Sequence, residues 1–136
     1  MNEQPLYEYT RDDARQRLRI RLRQPPKAAD FIAIVDRQIS DGAWLFDIVY
    51  DVRSQLTGIS SAEDVQAGAN YVQAQVAAHG PRGAVAIVSR QSGIVAAAQI
   101  YAHRARGFDV EVFWDMDDAD RWLDHRRASR AGLPPA

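Results

Sequence analysis

Apolar residues in this chain recur in two rhythms, and the alternation between them predicts the architecture. Residues 15–23 alternate strictly, with Leu18, Ile20 and Leu22 on one face and Arg15, Arg17, Arg19, Arg21 and Arg23 on the other. That two-residue period is the mark of a half-buried strand. Residues 6–10 read as its hairpin partner, joined through Arg11, Asp12, Asp13 and Ala14. A tight closure would set Tyr7 opposite Leu18 and Glu8 opposite Arg17. After Pro25-Pro26 the period changes: Phe31, Ile32, Val35 and Ile39 follow helical spacing, predicting a helix over 27–40 that Asp41-Gly42 ends.

The remainder repeats strand and helix in turn. Residues 44–51 read as an interior strand whose apolar run Asp47 interrupts, and 52–59 as a loop. Ser60 or Ser61 caps the next helix, with Glu63 and Asp64 in its first turn, a core stripe of Val65, Ala69, Val72 and Val76, and a stop at His79-Gly80-Pro81. Residues 83–89 are almost wholly apolar, as a strand buried on both faces requires. Ser92-Gly93 opens a third helix with Ile94, Val95, Ala98, Tyr101 and Ala105 inward, and Gly107 closes it. Residues 109–113 form the last strand and 117–126 the last helix, packing through Ala119, Trp122 and Leu123. Residues 127–136 read as a flexible tail, leaving one domain over 1–126. The expected fold is therefore α/β, ββαβαβαβα: a central mixed five-stranded sheet, mostly parallel, with an antiparallel N-terminal edge hairpin and about four helices.

Composition narrows the chemistry. With 136 residues, 46% of them hydrophobic, the chain can bury a core without staples. It has no cysteine, which removes disulfides, thiolate metal sites and cysteine nucleophiles. A formal net charge of -1 gives no global field for polyanions. The arginine face lacks the aromatics on which bases stack, so it reads as a solvated or salt-bridged edge, and no nucleic-acid partner is expected. No apolar run is long enough to span a bilayer. The opening Met-Asn-Glu-Gln-Pro lacks the character of a secretory signal, so a cytoplasmic location is expected.

Two local patterns carry a resemblance. Asp51 at a strand end is followed by Leu56-Thr57-Gly58-Ile59-Ser60-Ser61, and later come Phe113-Trp114-Asp115, Ala119 and Trp122-Leu123. Together with the element order, these resemble the SpoIIAA-like branch of the STAS superfamily, small bacterial domains similar to anti-sigma-factor antagonists. The aspartate that precedes the serines in that motif, and the glycine that follows them, are absent here. The resemblance implies a non-enzymatic regulatory or protein-interaction module, with a protein partner and a phosphorylation or partner site at Ser60 and Ser61. Its likeness to the lipid-exchanging Sec14 type of domain also brings an apolar ligand into view.

Parallel α/β sheets bind ligands beyond the carboxyl ends of their strands. There the loops carry Asp51, then Ser89, Arg90, Ser92 and Gly93, then Trp114 and Asp115, a candidate rim for an anionic or lipid-like small molecule. Capping alone explains Ser92, Ser60 and Ser61 equally well. Asp115, Asp117, Asp118 and Asp120 fit no metal-loop spacing and read as helix-start acids, so neither metal nor cofactor is expected. His79, His103 and His125 have no paired spacing, and no nucleophile elbow is present, so no catalytic residue is assigned. An uncovered edge strand and the helix around Tyr71 are the two candidate surfaces for self-association as a homodimer.

Overall fold

The computed structural model describes residues 7–53 and 61–130. Its elements are β1 (Tyr7–Asp12), β2 (Arg17–Leu22), α1 (Ala28–Ser40), β3 (Asp47–Asp51), α2 (Ala62–His79), β4 (Val85–Val88), α3 (Ser92–Arg104), β5 (Val110–Phe113) and α4 (Met116–Arg130). The strands form one sheet in sequential order, β1-β2-β3-β4-β5. Only the β1–β2 pair is antiparallel; β2–β3, β3–β4 and β4–β5 are parallel. The exits of β2 to β5 therefore share one rim.

The hairpin register differs from the tight closure expected. Tyr7 lies opposite Leu22 and Glu8 opposite Arg21, because β1 continues to Asp12 and the turn takes up residues 13–16. Gln16, in the left-handed region at φ 51°, and Asp12, whose carboxylate accepts from the Arg15 N–H at 3.1 Å, shape that turn. The slip is by an even number of residues, so every side chain keeps its face.

Helices cover the two faces unequally. Leu18, Ile20, Leu22, Ile48, Val85 and Ile87 point to the side where Ile34 of α1 and Ala98 of α3 pack. α2 joins this layer through Val72, which meets Val35 and Trp44. On the opposite face Val49, Ala84, Ala86 and Val88 meet Ala119 and Leu123 of α4 alone. β4 and the residue before it show the difference: the large Val85 and Ile87 face three helices, while the small Ala84 and Ala86 lie with Val88 beneath α4.

The arginine stripe is salt-bridged, one of the two readings expected of it, but that second face corrects its place as an edge. β2 is an inner strand, and Arg17 is 4% exposed beneath α4. It donates to Asp120 at 3.2 Å and Asp124 at 2.6 Å, while Arg19 approaches Asp120 at 3.8 Å. Asp47, which broke the apolar run, is buried on the same face, where its Oδ1 accepts from the Ala84 N–H at 2.9 Å and from Arg130 at 2.7 Å. α4 consequently runs to Arg130, past the expected end at 126, and the segment 127–130 set down as tail is helical. Arg127 also donates to the Arg15 carbonyl at 2.6 Å. β3 begins later than expected, at Asp47, because 43–46 form a turn that sends Trp44 between α1 and α2. Among the described residues no helix is long and apolar enough to cross a membrane.

Candidate functional site

Two concavities lie at the rim, one on each side of the sheet. On the three-helix side a cavity of about 120 Å³ lies between the sheet and α1, α2 and α3. Leu22 and Ile87 line it from the strands, Val52 from just past β3, Phe31 and Val35 from α1, Val65 and Val72 from α2, and Ile94 from α3. Space remains because the helices present small residues there: Ala69 from α2, Ala97 and Ala98 from α3, with Gly68 letting Phe31 pack against α2. A β-carbon at Gly68 would stand 3.0 Å from ring carbons of Phe31, so that ring occupies the room the glycine leaves. The lining has two side-chain hydroxyls, on Tyr50 and Tyr101. Burial pushes the Tyr101 phenol up to about 12, so it stays neutral in any physiological medium.

The opposite side holds a polar, open pocket lined by Arg21, Asp51, Arg53 and Arg90. Asp51 is buried at the end of β3 and accepts from Arg53 three times: from Nε and the backbone N–H on Oδ1 at 2.9 and 3.1 Å, and from the guanidinium on Oδ2 at 2.9 Å. Burial alone would raise its carboxyl; the hydrogen bonds and charge of Arg53 outweigh that and hold it below the usual range. A carboxyl so depressed supports folding above its unfolded value, about 3.9, and ceases to as pH falls through the folded one. Asp51→Asn is therefore expected to be less stable than wild type at neutral pH, with the two denaturation midpoints converging in acid. A gap that stays constant from pH 7 to pH 2 would contradict this.

The remaining residues expected at the rim separate into different roles. Ser89 is fully buried and accepts from the Gln91 N–H at 3.2 Å, shaping the exit of β4. Ser92 does not cap α3: the helix begins at Ser92, the cap position is Gln91, and both Ser92 and Gly93 are exposed. Arg90 donates to the Trp114 carbonyl at 3.3 Å, with its guanidinium 5.8 Å from that ring's centroid. Trp114 is 60% exposed. Asp115 Oδ1 accepts from the Asp118 N–H at 2.9 Å, which ties it to the start of α4. Ser61 caps α2, accepting from the Asp64 N–H at 3.0 Å while its hydroxyl donates to the Asp64 carboxylate at 2.9 Å. Ser60 lies outside the described residues. Tyr71, considered for self-association, bonds Asp36 of α1 through its hydroxyl.

Sequence reasoning missed Arg21, Arg53 and the apolar cavity. Arg21 was visible in the stripe, and Arg53 stands two residues beyond Asp51, but their convergence needs the β2–β3 register, which pairs Arg21 with Asp51. A signal for the cavity was present in the adjacent small pairs Gly68-Ala69 and Ala97-Ala98. Among the described residues no three His, Asp or Glu side chains gather as a metal site would need. α3 separates Ser92 from His103 by roughly 16 Å at helical rise, too far for a hydrogen bond.

No protein-family model and no curated protein matches the sequence. Among solved structures, the chain is similar to an uncharacterized protein of the DUF3478 family with a SpoIIAA-like fold from Shewanella loihica PV-4. The match has a TM-score of 0.57 at 18% identity and covers 90% of this chain and 98% of that one. With the mixed sheet, the sequential strand order and the four helices, it establishes that this chain has the SpoIIAA-like fold.

Proposed function

We propose that the chain is a non-enzymatic SpoIIAA-like binding module that holds a small apolar molecule, or the apolar end of an amphipathic one, between its sheet and its three-helix layer. The observation that carries this is the cavity itself: about 120 Å³, lined almost wholly by hydrocarbon, between the sheet and three helices. Protein interiors rarely leave such space, since a void forfeits the contacts its walls would make. A cavity of that size suits a benzene-sized group or a short chain segment and falls below the roughly 300 Å³ of larger ligand sites.

A second reading, a regulatory module with a protein partner near Ser60 and Ser61, draws on one feature. Ser61 is exposed at the start of α2, and α2 also contributes Val65, Gly68 and Ala69 to the cavity. A phosphate on Ser61 would have to displace the Asp64 carboxylate that its hydroxyl now bonds, disturbing the first turn of a cavity wall.

Native mass spectrometry of freshly purified protein separates the two. The cavity reading expects a retained or readily loaded apolar species that Ala98→Leu, which fills the space, no longer holds. A bare mass throughout, with no uptake from a panel of small hydrocarbons and short fatty acids, sinks the cavity reading and leaves the partner reading standing.

A further inference from the structure

The arginines of the polar pocket are neutralised unevenly. Lower on the same sheet face, Arg17 and Arg19 meet Asp120 and Asp124 of α4. At the rim Arg21, Arg53 and Arg90 converge on a pocket of about 360 Å³ that holds one carboxylate, Asp51. Arg53 occupies both oxygens of that carboxylate. The nearest other acid to Arg21 is Glu8 at 4.0 Å, and Glu8 is also engaged by Arg23. Arg90 forms no ion pair among the described residues; a backbone carbonyl and the Trp114 ring hold it. Three cations from three separate strand ends thus face one anion, in a chain whose overall charge is -1.

We propose that this pocket is an oxyanion site that takes a phosphate group, free or as a monoester, with Arg21, Arg53 and Arg90 as its donors. Guanidinium forks match the paired oxygens of phosphate, and a dianion balances the excess positive charge. Two of the donors are held in place by other groups: Arg53 by Asp51, and Arg90 by the carbonyl and ring of Trp114. The exposed Trp114 ring then borders the site, where it can meet a planar group carried by a monoester. This site lies on the opposite sheet face from the apolar cavity and does not depend on it.

Calorimetric titration with inorganic phosphate and with phenyl phosphate at low ionic strength tests the proposal. Wild type is expected to bind saturably, Arg90→Gln and Arg53→Gln each to weaken binding by about tenfold, and Asp51→Asn, whose amide oxygen still accepts from Arg53 but carries no competing charge, to tighten it. Arg121→Gln, which alters an exposed pair with Asp118, should change nothing. Ala98→Leu should leave phosphate affinity intact, so failure of the cavity reading and failure of this site are told apart. Equal affinity for the two probes identifies the free ion; tighter phenyl phosphate binding that Trp114→Ala abolishes identifies a monoester. Absence of saturable binding up to roughly tens of millimolar overturns the proposal, as does equal weakening by Arg90→Gln and Arg121→Gln.

Discussion

Gly83→Ala is expected to cost more than about 3 kcal/mol of folding stability. A β-carbon there would stand 2.6 Å from the carbonyl carbon of Phe46 and 2.8 Å from the Leu45 oxygen, with the Phe46 oxygen closer still. All three obstacles are backbone, so no rotamer change relieves them. Either the turn at 43–46 lifts, withdrawing Trp44 from its place between α1 and α2, or the entry to β4 shifts and carries the central pairing with it. Urea denaturation of Gly83→Ala should show a midpoint far below wild type. Gly42→Ala is the control: its β-carbon meets nothing within 4 Å, and its cost is only that of φ at +67°, about 1 kcal/mol. Equal losses in the two variants would contradict this account of Gly83.

Gln38→Leu is expected to cost about 3 kcal/mol, although it keeps the side chain's shape. Arg82 is 5% exposed at the entry to β4, and its guanidinium bonds an amide oxygen, with no carboxylate partner among the described residues. Its charge is held by the Gln38 amide oxygen, at 2.9 and 3.3 Å, by the Tyr101 hydroxyl, and by the faces of Trp44 and Phe108, 5.6 and 5.4 Å from the guanidinium carbon. The Gln38 amide is oriented in turn by donating to the Ala43 and Trp44 carbonyls at 2.8 and 3.3 Å. Leucine would take from a buried cation its amide acceptor, and from the Ala43 and Trp44 carbonyls their side-chain donor, leaving each carbonyl only its backbone donor, the Phe46 and Gly83 N–H. Replacing both partners, Gln38→Leu with Arg82→Met, removes the charge together with its need, so the double variant should lose less than the sum of the single ones. A denaturation cycle that came out additive would show that the two groups do not act as a unit.

The fold was largely legible because period reports on faces, and faces survive errors of position. The strict alternation in β2 put Leu18, Ile20 and Leu22 on the correct side even though the hairpin register was displaced. Boundaries were less legible where tertiary contacts override composition. Trp44, Leu45 and Phe46 are apolar enough for a strand, yet they form a turn, with Leu45 73% exposed. Residues 127–130 are polar enough for a tail, yet Arg127 and Arg130 fasten α4 to the Arg15 carbonyl and to Asp47. The candidate site was legible only in part. Strand-end logic placed Asp51 and Arg90 on one rim. It could not foresee Arg21 and Arg53 beside them, nor that Ser89 would be buried. A cavity is harder still to read, being a property of side chains that are not there; Gly68, Ala69, Ala97 and Ala98 mark its walls only once α2 and α3 are known to face each other.

Methyl NMR during titration with benzene, a probe matched to a space of about 120 Å³, tests the binding account most directly. Saturable shifts confined to the methyls that line the cavity, with Val72, Ile87 and Ile94 among them, and lost in Ala98→Leu, are the predicted result. Shifts that never saturate, or that persist unchanged once Ala98 is leucine, would contradict it.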